Sequence, residues 1–336
     1  MTTQTGRSRR ICRRSQGGFM AVLDSFDSLQ SEIDADVEIV KLARERRDVF
    51  KTALSTAPDV NLVWGSGSLA RSTQLQPVHD VDLVVEFDPD QHPEWGQPGK
   101  SAEEAIERCR DLVHEMLSTE SGSHAQLVRQ VNTANRNRAA KCFIDPPGSD
   151  NAFTVDVMPA LRRSDGILIP FKSEERWSLA DPEYLLNEVA ARQREWPQFR
   201  PLVRVLKYWA RQHKQDTGRV KSLVMEVLAL ECLSQANRPE ALKNFFIEAS
   251  NHDLVIEDPA KLSGVIQPDL DTAGLRRALE DSAASASAAV KAVANNDQPT
   301  ATRHWQSVFG QAFPLVLPPA GEPDPGPRPI KDSPQG

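Results

Sequence analysis

Three aspartates are spaced for metal chemistry. In the run Asp80-Val81-Asp82-Leu83-Val84-Val85, the two-residue period of a strand sends Val81, Leu83 and Val85 to one face and both aspartates to the other. Aspartate is a poor strand residue, and two like charges side by side cannot both ionise cheaply unless a cation sits between them. Mg2+ is the natural candidate, with Mn2+ as a substitute, because it takes hard oxygen ligands, typically one or two carboxylates together with phosphates and water. A second strand repeats the pattern, with Phe153, Val155 and Val157 on one face and Asp156 on the other. Asp80, Asp82 and Asp156 are therefore expected to converge as metal ligands and catalytic residues. Two ions on such a set can align an attacking hydroxyl, neutralise an α-phosphate and stabilise departing pyrophosphate. Asp156 is the best placed general base.

Upstream of this pair lie Gly67 and Ser68, after a short apolar strand and before a stretch, Leu69-Ala70-Arg71, able to open with a helical turn. Glycine lets the backbone approach a phosphate, and exposed amides attract anions, so Gly67 and Ser68 are expected to cradle a triphosphate. Alone the pair would mark only a flexible turn; its spacing to Asp80 and Asp82 gives it meaning.

These side chains need a sheet under them. From Ser25 the apolar positions Phe26, Leu29, Ile33, Val37 and Val40 recur at helical steps, predicting one long amphipathic helix to about Ala53. Strands follow over Val60 to Trp64 and Val78 to Phe87, and Ser101 with Glu104 predicts a capping box at the start of a helix striped by Ile106, Cys109, Val113 and Met116. Apolar stretches at Cys142 to Ile144 and Phe153 to Met158, separated by Pro146-Pro147-Gly148, predict paired strands. After Trp177 the texture becomes helix upon helix: Asp181-Pro182 opens one, Phe199 to Trp209 stripes the next, and Leu223 to Cys232 is apolar nearly all round and hence buried. Ala241 to Ala249, Thr272 to Asn295 and Thr302 to Phe309 follow, the last stopped by Gly310.

The expected class is α+β, with a mixed sheet in one lobe, helices in the other, and the site in the cleft between them. The expected division is a disordered basic leader over 1–19, a catalytic core with its long N-terminal helix over 20–180, a helical domain over 181–317 and a Pro/Gly-rich tail over 318–336, with Met20 a possible true start.

The 336 residues carry 40 basic and 47 acidic side chains, a formal charge of −7, which disfavours a protein that coats duplex nucleic acid. The four cysteines have no Cys-x-x-Cys pairing, and no apolar run spans a bilayer; reduced thiols and a cytoplasmic location, with no membrane partner, are the expectation.

Gly67-Ser68, Asp80-x-Asp82 and Asp156 followed by Met158-Pro159-Ala160 resemble the polymerase-β-like nucleotidyltransferase superfamily. More closely, the order of features from about Met20 to Pro314 resembles the cGAS/DncV-like nucleotidyltransferases, the CD-NTases of bacterial CBASS anti-phage systems. Thr73, Trp177 with Asp181-Pro182, the run Val203 to Trp209, Lys221-Ser222, and Trp305 to Pro314 support this. The resemblance implies that Lys207 and Ser222 contact the donor triphosphate opposite Gly67-Ser68. It implies ATP or GTP as substrates, a cyclic di- or trinucleotide product that activates an effector protein, and conjugation or regulation through the C-terminal Gly336. Relatives often place an aromatic after the helix-opening serine; here Leu223 stands there, so base choice is not legible. The alternatives are a template-independent enzyme that extends RNA ends, which would need a basic groove for the primer and against which the acidic balance and the missing RNA module stand, and an inactive nucleotide-binding scaffold, against which all three aspartates stand.

Overall fold

The computed structural model describes residues 22–316; the leader, Met20, the tail and Gly336 lie outside the described residues. Asp80–Phe87 forms β2 and Thr154–Arg163 forms β5, and these two strands run parallel at the centre of the sheet. Val60–Ser66 (β1) lies antiparallel on the far side of β2. Gln130–Asn132 (β3) and Ala140–Phe143 (β4) extend the other edge. The order is β1-β2-β5-β4-β3, and Gly166–Phe171 (β6) with Arg176–Ala180 (β7) folds back from the end of β5. One parallel pair among antiparallel ones makes the sheet mixed, as expected. The pairing of β4 with β5 is also as predicted, whereas β6 and β7 carry no strong sequence signal and were not anticipated.

The helices are Val22–Ile33 (α1), Val37–Leu54 (α2), Gly67–Arg71 (α3), Ser101–Leu117 (α4), Pro182–Glu195 (α5), Phe199–Gln212 (α6), Lys214–Thr217 (α7), Ser222–Cys232 (α8), Arg238–Asn251 (α9), Thr272–Ala294 (α10) and Gln298–Phe309 (α11). The long N-terminal helix is in fact two. Asp36 caps α2 by accepting from the amides of Glu38 and Ile39, a local bond that competes with continuing the helix. The break redirects the chain: Phe26, Leu29 and Ile33 of α1 join the helical core with Trp209, Phe246, Trp305 and Phe309. Ala43, Phe50 and Leu54 of α2 instead pack against the sheet with Val81, Leu83, Val155 and Val157. An N-terminal helix thus belongs to the helical lobe.

The capping box at Ser101 does not form. Lys100 occupies the cap position without a side-chain bond, while the Ser101 hydroxyl donates to the Gln97 carbonyl and accepts from Trp177 Nε1 at 2.9 Å. Asp181 caps α5 as predicted, its side chain accepting from the Tyr184 amide, and Gly310 ends α11 with φ +74°. Both faces of the parallel pair are covered, the second by a small cluster of Val84, Ala160, Ile167, Ile169 and Ala180. Asp82 on β2 and Asp156 on β5 meet the cleft.

Candidate active site

The register of the two parallel strands builds the site. Asp82 is the Cα partner of Asp156, and Asp80 of Thr154, so the aspartates stand at one end of adjacent strands on a common face. Their carboxylate oxygens lie within 4.8 Å of one another. Asp80 is held by the Thr154 hydroxyl at 2.9 Å. Its side chain is 48% exposed against 25% for Asp156, so Asp80 is the solvent-facing edge of the trio.

The trio is electrostatically unfavourable as it stands. Burial raises the Asp82 carboxyl to about 7, with Asp80 and Asp156 adding to the effect and Arg71 and Lys141 opposing it. Asp156 is raised too, by burial first and then by Asp80. Its Oδ1 is buried and makes no hydrogen bond. The nearest cation, Lys141 Nζ, stands 3.7 Å from both Asp80 Oδ1 and Asp156 Oδ1, an ion-pair distance beyond hydrogen bonding. An unsatisfied carboxylate oxygen, a lysine drawn between two acids and an all-oxygen donor set fit a divalent cation.

Lys141 is a site residue that the sequence reading missed. It sits on β4 directly across from Asp156, and its signal was the alternation of buried Ala140 and Cys142 around it, which becomes informative only once the pairing with β5 is known.

Gly67 presses onto the trio. Its φ is +69°, and a Cβ there would lie 1.7 Å from Asp82 Oδ2; β1 brings it there because Ser66 pairs with Asp82. A cleft of about 400 Å³ opens from this point. Ser66, Gly67, Arg71, Asp82 and Asp156 form one wall, and Leu185, Leu223 and the Asp258-Pro259 turn form the other. Ser68 follows Gly67 as the second residue of α3, partly exposed.

The structure does not bring Lys207 and Ser222 to this wall. Lys207 is 4% exposed, and its ammonium donates to the Thr73 carbonyl at 2.8 Å and to Glu226 Oε1 at 3.0 Å. A lysine so enclosed braces the loop after Gly67-Ser68, and together with Ser222 it lines a depression apart from the carboxylates. Ser222 is exposed in the first turn of α8, bordering a separate basic depression with Arg211, Arg219 and Lys221.

A mixed sheet bearing three convergent aspartates, a Gly-Ser turn packed on one of them and a helical lobe across a cleft define a polymerase-β-like nucleotidyltransferase. Residues 20–192 match the profile of the Second Messenger Oligonucleotide or Dinucleotide Synthetase domain, and the chain belongs to that family. It is similar to the cyclic AMP-AMP-AMP synthase of Escherichia coli (strain MS 115-1), at 28% identity over 309 residues covering 81% of this chain and 89% of that one. Among solved structures, E. coli MS115-1 CdnC with ATP superposes with a TM-score of 0.66 at 20% identity, over 88% of this chain and 99% of that chain. The same CdnC in complex with HORMA-deltaN gives 0.65 at 20% identity, over 88% and 98%. A variant of the Vibrio cholerae di-nucleotide cyclase DncV gives 0.55 at 12% identity, over 88% and 89%. The protein is a nucleotidyltransferase of the cyclic-oligonucleotide-synthase class with an acidic trio that could hold a metal ion. Among the described residues no helix is long and apolar enough to cross a membrane.

Proposed function

We propose that the protein joins nucleoside triphosphates, ATP or GTP among them, into a cyclic di- or trinucleotide, releasing pyrophosphate at each bond, and that Asp80, Asp82 and Asp156 are its metal-binding catalytic residues. The observation that carries this reading is the register of Asp82 with Asp156, which gathers the three carboxylates beside a nucleotide-sized cleft. Two Mg2+ ions, replaceable by Mn2+, would be held by these residues and would supply positive charge to the α-phosphate and acidify the attacking hydroxyl.

The protein's own residues do the rest. Asp156, whose carboxyl burial and Asp80 make more basic than usual, accepts the proton of the hydroxyl as its oxygen bonds to the α-phosphorus and the bond to pyrophosphate breaks. Gly67, lacking a side chain, lets the turn lie against the Asp82 carboxylate, and with Ser68 it offers backbone amides to phosphate oxygens. Leu185 and Leu223 offer an apolar surface to a base and keep water off the reacting end. Leu223 supplies contact area without aromatic stacking.

The similarity to the E. coli cyclic AMP-AMP-AMP synthase favours a cyclic trinucleotide built from ATP, acting on an effector in an anti-phage response. The CdnC:HORMA-deltaN complex favours a protein partner that controls the enzyme. Incubating the full chain with labelled NTPs and Mg2+, then phosphatase, and identifying the product by mass spectrometry tests the assignment. A phosphatase-resistant small product supports the synthase. Lengthened RNA would make the protein an end-adding polymerase, and binding without turnover would make it a scaffold.

A further inference from the structure

A buried charge cluster crosses from one lobe to the other behind the cleft wall. Arg71, at the end of α3, gives Nε to Glu226 Oε2 at 2.6 Å and Nη2 to Oε1 at 3.4 Å. Lys207 of α6 reaches the same carboxylate at 3.0 Å. Glu226 is fully buried in α8 among apolar neighbours, and the Arg71 side chain is only 10% exposed. Burial opposes the ionisation of Glu226, but Arg71 and Lys207 outweigh it and hold the carboxyl below its ordinary value.

Two features set this cluster apart from a structural ion pair. One carboxylate serves two cations, leaving a surplus positive charge inside the protein, where an uncompensated charge is costly. The guanidinium is also only partly used. Nε and Nη2 engage Glu226, whereas Nη1, with two N–H groups, makes no hydrogen bond among the described residues. Arg71 lines the cleft together with Gly67 and Asp82, and its field already reaches the Asp82 carboxyl. A rigid guanidinium that lines the cleft with one nitrogen unbonded suits a phosphate oxygen.

We propose that Arg71 is a direct ligand of the nucleotide's phosphates and that Glu226 is the positioning residue that aims it, with Lys207 bracing Glu226 and the Thr73 carbonyl. This rests on the nucleotidyltransferase reading and adds to it a cation supplied by the catalytic lobe but oriented by the helical lobe. Phosphate capture and lobe packing are thereby linked through one carboxylate, so loosening α8 at Glu226 weakens triphosphate binding.

The test compares full-length wild type with Arg71→Lys and Glu226→Gln, each first checked for a native circular dichroism spectrum and melting transition. Calorimetric titration with a non-hydrolysable ATP analogue and with AMP, both with Ca2+, is the primary readout. Arg71→Lys should weaken the triphosphate by roughly tenfold or more, the worth of a charge-assisted bond, and leave AMP within about twofold, since AMP lacks the outer phosphates. Glu226→Gln should weaken the triphosphate by a smaller factor, and steady-state assays should place both losses mainly in KM. Should Arg71→Lys fail to fold, Arg71→Gln carries the same comparison and leaves the Lys207–Glu226 pair in place. A folded Arg71 variant that binds the analogue as wild type does, or that loses AMP equally, overturns the proposal. Lack of product from wild type would overturn the synthase reading instead, while the binding comparison still decides on Arg71.

Discussion

Replacing Asp82 with asparagine should stabilise the metal-free protein, and by an amount that depends on pH in a fixed direction. The folded carboxyl sits at about 7 against an ordinary 3.8. The folded state therefore holds that proton more tightly than the unfolded chain, and stability falls as pH rises from about 3.8 through about 7. Above pH 7 the full penalty is on the order of 4 kcal/mol. The isosteric amide removes the charge and with it the penalty. For a chain of this size that is a rise of roughly 6 °C in melting temperature at pH 8. At pH 5 wild type has shed most of its penalty by protonation, and the gap should shrink to less than half. Divalent metal reverses the order, because the cation compensates the ionised carboxylate in wild type and has less to bind in the variant. Since metal must displace the Asp82 proton, its apparent affinity for wild type should fall about tenfold from pH 8 to pH 6 through this group alone. Differential scanning fluorimetry of both proteins at pH 5 and pH 8, with EDTA and with Mg2+, reads all of this. Equal melting temperatures at pH 8 in EDTA, or a gap that does not narrow on acidification, would refute the assigned environment of Asp82.

Three further outcomes follow from the same geometry. Asp80→Asn and Asp156→Asn should each lower product formation by roughly a thousandfold or more while leaving the melting transition cooperative, as expected when a metal site worth several kcal/mol to the reaction is lost; radiolabelled NTP conversion measures it. Gly67→Ala should cost both activity and about 1–2 kcal/mol of stability, because φ +69° strains any side chain there and its Cβ would collide with Asp82 Oδ2; chemical denaturation beside the turnover assay shows whether both fall together. Arg108→Ala, away from the cleft, should cost up to about 3 kcal/mol, since it strips the buried Asp59 of the paired bonds at 2.8 and 2.9 Å that keep its carboxyl ionised against the cost of burial. Turnover per folded molecule should not change, as urea titration together with active-site counting would establish.

Much of the site could be read from the chain because its elements announce themselves locally. Alternation around Asp80 and Asp82, the isolated Asp156 among β-branched residues, and Gly67 after an apolar strand each carry their own periodicity. The break at Asp34–Asp36 was hidden because the apolar stripe continues through it, while the decision is made by tertiary packing and by the Asp36 cap. Lys141, Arg71 and Glu226 were missed for a different reason. Their meaning depends on which residue lies opposite, and that is fixed by the register of β4 with β5 and by the docking of α8 against α3, neither of which leaves a short-range trace. Glu226 in particular lies in a helix that is apolar apart from Ser222 at its start and Glu231 near its end. An acidic residue in the middle of such a run signals a buried partner, but the run does not say which.

The bonds of Lys207 and its neighbour on α6 show what the helical lobe contributes. Arg204 and Lys207, one turn apart on α6, donate to the carbonyls of Ser72 at 3.0 Å and Thr73 at 2.8 Å, and each is matched by an acid, Asp34 for Arg204 and Glu226 for Lys207. The stretch from Gly67 to Thr73 is thus clamped from behind by a neighbouring core, and Gly67 is held hard against Asp82. Left to itself, a trio of carboxylates would relieve its repulsion by turning outward into water. With β5 on one side and a braced loop on the other, Asp82 has no such freedom, so the cost of assembling the acids is met during folding and not when substrate arrives. That is the arrangement expected of a preorganised electrostatic site, and it explains why two large apolar cores flank a point at which the ionised protein is locally unstable.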